Sequence, residues 1–228
     1  MLTRSVRATC VVALVVALGA CGSSAKHSGS ASDLSAAKAS VLTAADLPSY
    51  FAKPYQASND TPVAVRQQFA KCLNVSTTIF DDTPGAQRAH SPVFTKNSSS
   101  LASSVEIDPK TSQIDQGWSE LTNPKITQCL QQLFEATTKL SAPTGVTFGP
   151  TTVTKFSPGI GGRSIGYTAQ LTATSGGTAM TFYVDLLFVA RDRAGVELEA
   201  FSTGEPFDRT TETSLAKKMN DRIGDKAA

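Results

Sequence analysis

Between Ser164 and Phe201 the chain alternates between apolar and polar positions with a period of two. Ile165, Tyr167, Ala169 and Leu171 share one side of a first stretch, and Ser175-Gly176-Gly177 follows as a turn. Met180, Phe182, Val184, Leu186 and Phe188 take one side of a second stretch, with Tyr183, Asp185, Leu187 and Val189 on the other. Asp192-Arg193-Ala194-Gly195 then turns the chain into Val196-Glu197-Leu198-Glu199-Ala200-Phe201. Alternation bounded by turn residues predicts an antiparallel three-strand meander. The middle strand is apolar on both sides, so both faces of its sheet need cover, and Phe182 is read as a core residue. Upstream, Ser91-Pro92-Val93-Phe94 and residues 101–107 read as a hairpin, and residues 146–156 supply one or two further strands.

Elsewhere the period becomes helical. Asp60-Thr61-Pro62 gives a cap and a first-turn proline, after which Val65, Phe69, Cys72 and Leu73 recur on one stripe. Thr122-Asn123-Pro124 repeats the start signal ahead of Ile126, Cys129, Leu130, Leu133 and Phe134. Asp208 or a following threonine caps a third helix with Leu215, Met219 and Ile223 as its stripe, and residues 114–121 form a shorter one that carries Trp118 towards the core. Helices on either side of an antiparallel sheet make the fold α+β.

The N-terminus has a different character. Arg4 and Arg7 precede an apolar run over residues 8–17, which ends in Leu18-Gly19-Ala20-Cys21. That order is a secretory signal, too short to stay as a spanning helix. The small residues before Cys21 resemble a bacterial lipobox, whose cysteine is acylated and becomes the new N-terminus; plain secretion with cleavage nearby is the alternative. Residues 22–32 lack aromatic and branched apolar side chains and read as a flexible tether. The chain therefore divides into a signal peptide (1–20), a lipidated Cys21 with its tether (21–40), and one domain (41–226). The lipid is the membrane anchor, and the location is the extracytoplasmic face of the cell membrane.

The signal changes the charge balance. The whole chain has 21 Lys and Arg against 19 Asp and Glu; without Arg4 and Arg7 the balance is 19 against 19. A neutral mature chain offers no electrostatic case for nucleic acid. Cys10 leaves with the signal and Cys21 goes to lipid, so Cys72 and Cys129 remain. In an exported domain two cysteines read as one disulfide, with buried thiols or a metal pair as the alternatives. Only His27, in the tether, and His90 are available as imidazole ligands, which disfavours metal.

Gly162-Arg163-Ser164-Ile165-Gly166 matches the Gly-x-Ser-x-Gly nucleophile elbow, yet it follows a Pro-Gly loop, opens a strand and has no histidine after it. His90 reads as a solvated loop residue, Asp81-Asp82 as a solvated turn rather than a calcium loop, and Glu197 with Glu199 as a solvent-facing pair. Asp185, mid-strand among apolar residues, needs a partner if buried, with Arg163 or Arg191 nearest in the meander. Lys217, Lys218 and Arg222 read as the polar face of the last helix.

Leu42-Thr43-Ala44-Ala45-Asp46-Leu47-Pro48, a helical cysteine, Ser91-Pro92-Val93-Phe94, Ser103-Ser104-Val105, a second helical cysteine and Tyr183-Val184-Asp185 occur in that order. Together they resemble actinobacterial envelope lipoproteins and PknH-like extracellular sensor domains, over most of residues 40–225. The resemblance implies a PsbP-like α/β sandwich and a role in binding a ligand or an envelope partner without catalysis. The sensor domains carry two disulfides where this chain has cysteines for one. The expectation is a lipid-anchored binding or sensor-like module with no cofactor and no metal. A carrier of lipid or another apolar ligand, and a serine hydrolase, are the alternatives.

Overall fold

The computed structural model describes residues 30–56, 61–81 and 83–224. Cys21, the signal segment, Asp60 and Asp82 therefore lie outside the described residues. The helices are α1 (Ala31–Ser40), α2 (Val63–Leu73), α3 (Thr111–Leu121), α4 (Ile126–Ser141) and α5 (Arg209–Ile223), with a 3-10 turn over Thr77–Phe80. The strands are β1 (Phe51–Lys53), β2 (Gln87–His90), β3 (Val93–Lys96), β4 (Ser99–Ile107), β5 (Val146–Phe148), β6 (Thr152–Phe156), β7 (Arg163–Ser175), β8 (Thr178–Arg191) and β9 (Ala194–Thr203). All pair antiparallel in one sheet, ordered β1-β3-β4-β9-β8-β7-β5, with β2 also on β4 and β6 also on β7.

The meander is β7-β8-β9, and its alternation survives intact. Leu187, Val189, Val196 and Leu198 join Ala37, Leu215, Met219 and Ile223 in one core, beneath α1 and α5. Ile165, Tyr167, Val184 and Leu186 join Val65, Phe69, Leu130 and Phe134 in a second core, beneath α2 and α4. The two-sided middle strand is thus covered on both faces. Phe182 lies outside both cores: it is half-buried and leans on Phe201 with ring centroids 5.9 Å apart. Phe182→Ala should accordingly cost about 1–2 kcal/mol and Leu186→Ala about 2–5 kcal/mol, read from denaturant midpoints.

Residues 31–40 correct the flexible-tether reading. Ser30 Oγ accepts from Ser32 N at the start of α1, Ala36, Ala37 and Ser40 are buried, and Asp33 pairs with Arg193 at 3.2 Å. Small residues pack here because the helix lies close against the sheet and α5. The Leu42–Pro48 word follows, and Leu42 N donates to Ser103 Oγ at 3.0 Å. Asp46 accepts from Thr43 N and Oγ1 and from Arg222, and pairs with Lys218 at 2.5 Å. Arg222 and Lys218 are therefore clamps on this segment and not a plain polar face; only Lys217 keeps that role, paired with Asp221 one turn on. The carboxyl of Asp46 is lowered far below its usual value: the hydrogen bonds outweigh the opposing desolvation.

Two bulges shape the sheet. Residues 91–93 oppose residues 102–103 between β2 and β3, and residues 149–151 oppose 171–172 between β5 and β6. At the first, Ser91 N donates to Ser103 O, and Ser91 Oγ accepts from Ser103 N, each at 2.9 Å. A bulge bends its strand and adds twist. Here the bend divides one run of chain between β1 and β4.

Candidate ligand-binding cavity

On the α2/α4 side the sheet is covered unevenly. Beyond Phe188 the facing positions of β9, β4 and β2 turn polar: Glu197 and Glu199, then Ser104 and Glu106, then Arg88 and His90. Alternation placed only Glu197 and Glu199 on a common face; the strand register brings in the others. Nor did alternation show that α3, the 3-10 turn and the chain around Tyr55 stand over that face. Glu197 and Glu199 are half-buried on a central strand, which corrects the solvent-face reading. Burial pushes both carboxyls up, Glu199 further because Glu197 lies beside it.

Between this face, α2, α3 and α4 lies a cavity of about 260 Å³. Phe69 and Leu73 from α2, Phe80 from the 3-10 turn, Trp118 from α3, Leu130 from α4 and Phe188 from β8 form its apolar wall. Trp118 is half-buried: it packs against the second core, as expected, and also lines the cavity. Tyr167 fixes the end of α3 to the sheet by donating from its hydroxyl to Leu121 O at 2.5 Å, and burial raises that phenol to about 12. Gly117 leaves open space: a Cβ there meets nothing within 4 Å.

The other end of the cavity is ionic. Arg88 pairs with Glu106, and Ser104 Oγ donates to Glu197 at 3.1 Å. Asp108, just past β4, is 3% exposed, and its Oδ1 has no partner; Arg88 Nη1 is likewise buried without one. Burial lifts Asp108 to about 6 against the opposing charges of Arg88 and Arg193. Buried polar atoms normally find partners, so an unpaired oxygen beside a cavity marks a place for a ligand group.

The other sequence candidates lie elsewhere. Cys72 and Cys129 are joined, with Cα atoms 5.6 Å apart, and tie α2 to α4. Ser164 is the second residue of β7, and its Oγ donates to Ile160 O at 2.9 Å on the α1/α5 face. His90 ends β2 on the opposite face, stacked on Tyr55 at 4.2 Å. It is a strand residue, not a loop one, and it cannot reach Ser164. Asp81 follows the 3-10 turn, its amide donating to Thr78 O. Among the described residues no group of three or more His, Cys, Asp or Glu side chains is placed to hold a metal ion.

Asp185 is buried, and its partner comes from α5 rather than from the meander. Arg209 Nη2 donates to Asp185 Oδ1 at 2.9 Å, Thr168 Oγ1 does so at 2.5 Å, and Arg209 Nη1 donates to Glu212 at 2.8 Å. The guanidinium also lies over Phe156, 3.4 Å from the ring centroid, and that ring lies flat against Gly166, where no Cβ would fit. Arg163 instead pairs with Asp115.

Arg88, Glu106 and Asp108 were not singled out from sequence. Asp108 stands just past the end of β4, and Arg88 and Glu106 meet only through the β2–β4 register.

No family model and no curated protein matches the chain. Among solved structures it is similar to the extracellular domain of PknH from Mycobacterium tuberculosis, with a TM-score of 0.46 and 11% identity over 86% of this chain and 98% of that one. It is also similar to LpqN, involved in cell envelope biogenesis of Mycobacterium tuberculosis, with a TM-score of 0.26 and 11% identity over 57% of this chain and 67% of that one. These are chains of the kind the sequence motifs resemble. Function is read below from this chain's own residues.

Proposed function

We propose that this chain is a lipid-anchored extracytoplasmic binding module, held at the cell membrane through Cys21, which takes a small ligand in the cavity under α2 and α3 and performs no chemistry on it. The observation that carries the reading is Asp108 Oδ1, buried and unpaired at the ionic end of a cavity whose other wall is apolar. An apolar wall with a few fixed polar groups is the usual form of a small-molecule site. The joined cysteines suit an oxidising compartment, as does the signal-like N-terminus. A cavity of about 260 Å³ is slightly below the ~300 Å³ where sites for larger ligands begin, so it suits a compact molecule better than a whole lipid.

The test uses the purified full-length chain and a library of compact aromatic fragments, followed by NMR at the Trp118 indole. Fragments should shift that signal in the wild type and fail to do so in Gly117→Leu, whose side chain fills the open space. Should no fragment of any charge class move it, the binding reading falls. Labelling with a palmitate analogue checks the anchor: label expected on Cys21 and absent from Cys21→Ala, where labelling elsewhere would refute it.

A further inference from the structure

We infer that the cavity is built for a small organic ammonium, a primary or secondary amine on an aromatic or apolar body, with Asp108 Oδ1 accepting its N–H. The inference rests on the binding reading above and adds the ligand's chemistry. Four acids line the cavity, Glu106, Asp108, Glu120 and Glu197, against one base, Arg88. Arg88 is engaged by Glu106. Arg193, the other cation near Asp108, is held by Asp33 at 3.2 Å and donates to the Asp108 backbone oxygen, not to its free Oδ1. Asp108 Oδ1 thus accepts from neither cation, although both lie near enough to act on it by charge and Arg88 keeps one buried Nη1 without a partner.

Other ligand classes fit less well. An anion would add a further negative charge to a lining already three negative on formal count. A quaternary ammonium carries no N–H for Oδ1. A bare metal ion would face an apolar wall, and no metal-holding group is present among the described residues. An ammonium satisfies the orphan acceptor, while Phe69, Phe80 and Phe188 offer aromatic surface to its body and charge; Trp118 already has the Arg163 guanidinium over its ring, 5.8 Å from the centroid.

The experiment titrates the full-length chain by calorimetry with four matched probes: phenethylamine, 2-phenylethanol, 3-phenylpropionate and benzyltrimethylammonium. Phenethylamine should bind most tightly, and Asp108→Asn should weaken it by ~10- to 100-fold while hardly changing 2-phenylethanol. Glu197→Gln, a milder change, should weaken the amine by ~3- to 10-fold and serves if Asp108→Asn does not fold. Equal binding of 3-phenylpropionate or benzyltrimethylammonium overturns the inference, as does an amine affinity untouched by both substitutions. If 2-phenylethanol binds as tightly as the amine, the cavity reading stands and this one fails; if no probe binds, both fail.

Discussion

Replacing Cys72 and Cys129 together by alanine is expected to lower the unfolding free energy by about 4 kcal/mol, measured by urea titration of the oxidised wild type against the double variant. The bridge closes a loop with a sequence separation of 57, long enough for the denatured chain to regain much conformational freedom once it is cut. It also joins α2 to α4, the two helices whose Val65, Phe69, Leu130 and Phe134 cover one face of the sheet. Reduction of the wild type should reproduce the loss. Because Phe69 and Leu73 belong to α2 and line the cavity, fragment binding should weaken in the same variant. A transition midpoint that does not move would show that helix packing alone sets the stability.

Stability should fall as the pH rises from about 5 to about 8, by on the order of 3 kcal/mol, and Glu212→Gln should make that slope clearly shallower. Glu212 is 1% exposed, and its pKa is raised to about 8 by burial first and by the charge of Asp185 second, with Arg209 opposing. A proton kept on Glu212 lets it hydrogen-bond to Asp185, so two buried carboxyls share one negative charge beside one guanidinium. In the unfolded chain the same group ionises near 4.5. Between those values the unfolded state has released a proton that the folded state retains, so the contribution is complete below about 4.5 and gone above about 8. Asp108, raised to about 6, adds to the slope in the lower part of the window, and Glu197 and Glu199, both raised by burial, act in the same sense. Asp46 and Asp208, both lowered, act in the opposite sense, and only in more acidic solution. Thermal melts across the window would decide the matter, and a wild type that is flat or gains stability towards pH 8 would rule out the shared proton.

The meander and the helices α2, α4 and α5 were legible because branched and aromatic residues recur at strict periods between turn and cap signals. Asp208 does cap α5, its carboxylate accepting from Thr211 N at 2.9 Å. Thr122-Asn123-Pro124 was read slightly early: Asn123 Oδ1 accepts from Lys125 N, and Thr122 closes α3 by donating to Trp118 O at 2.8 Å. Helix α1 left no periodic trace, since its buried face is Ala36, Ala37 and Ser40, residues equally at home in a tether. The cavity was harder still. Its ionic end joins residues from β2, β4 and β9 that meet only across the sheet, and no local pattern tells that another element covers Glu197. The sequence says of Asp185 only that it needs a partner if buried, and it is buried. Its cation came from a helix folded over the sheet, a contact that proximity along the meander could not supply.

The breaks in the outer strands bear on crowding. Under the anchor proposed above a domain would meet its copies at high local density, and an open sheet edge would invite them to pair backbone to backbone. One border here is β1, three exposed residues ending in Lys53 and stopped by Pro54. The other is β5 and β6, short pieces thrown out of line by residues 149–151. Neither offers a long straight row of free amides and carbonyls to a neighbour. The sheet can thus meet copies of itself at high density without growing into them.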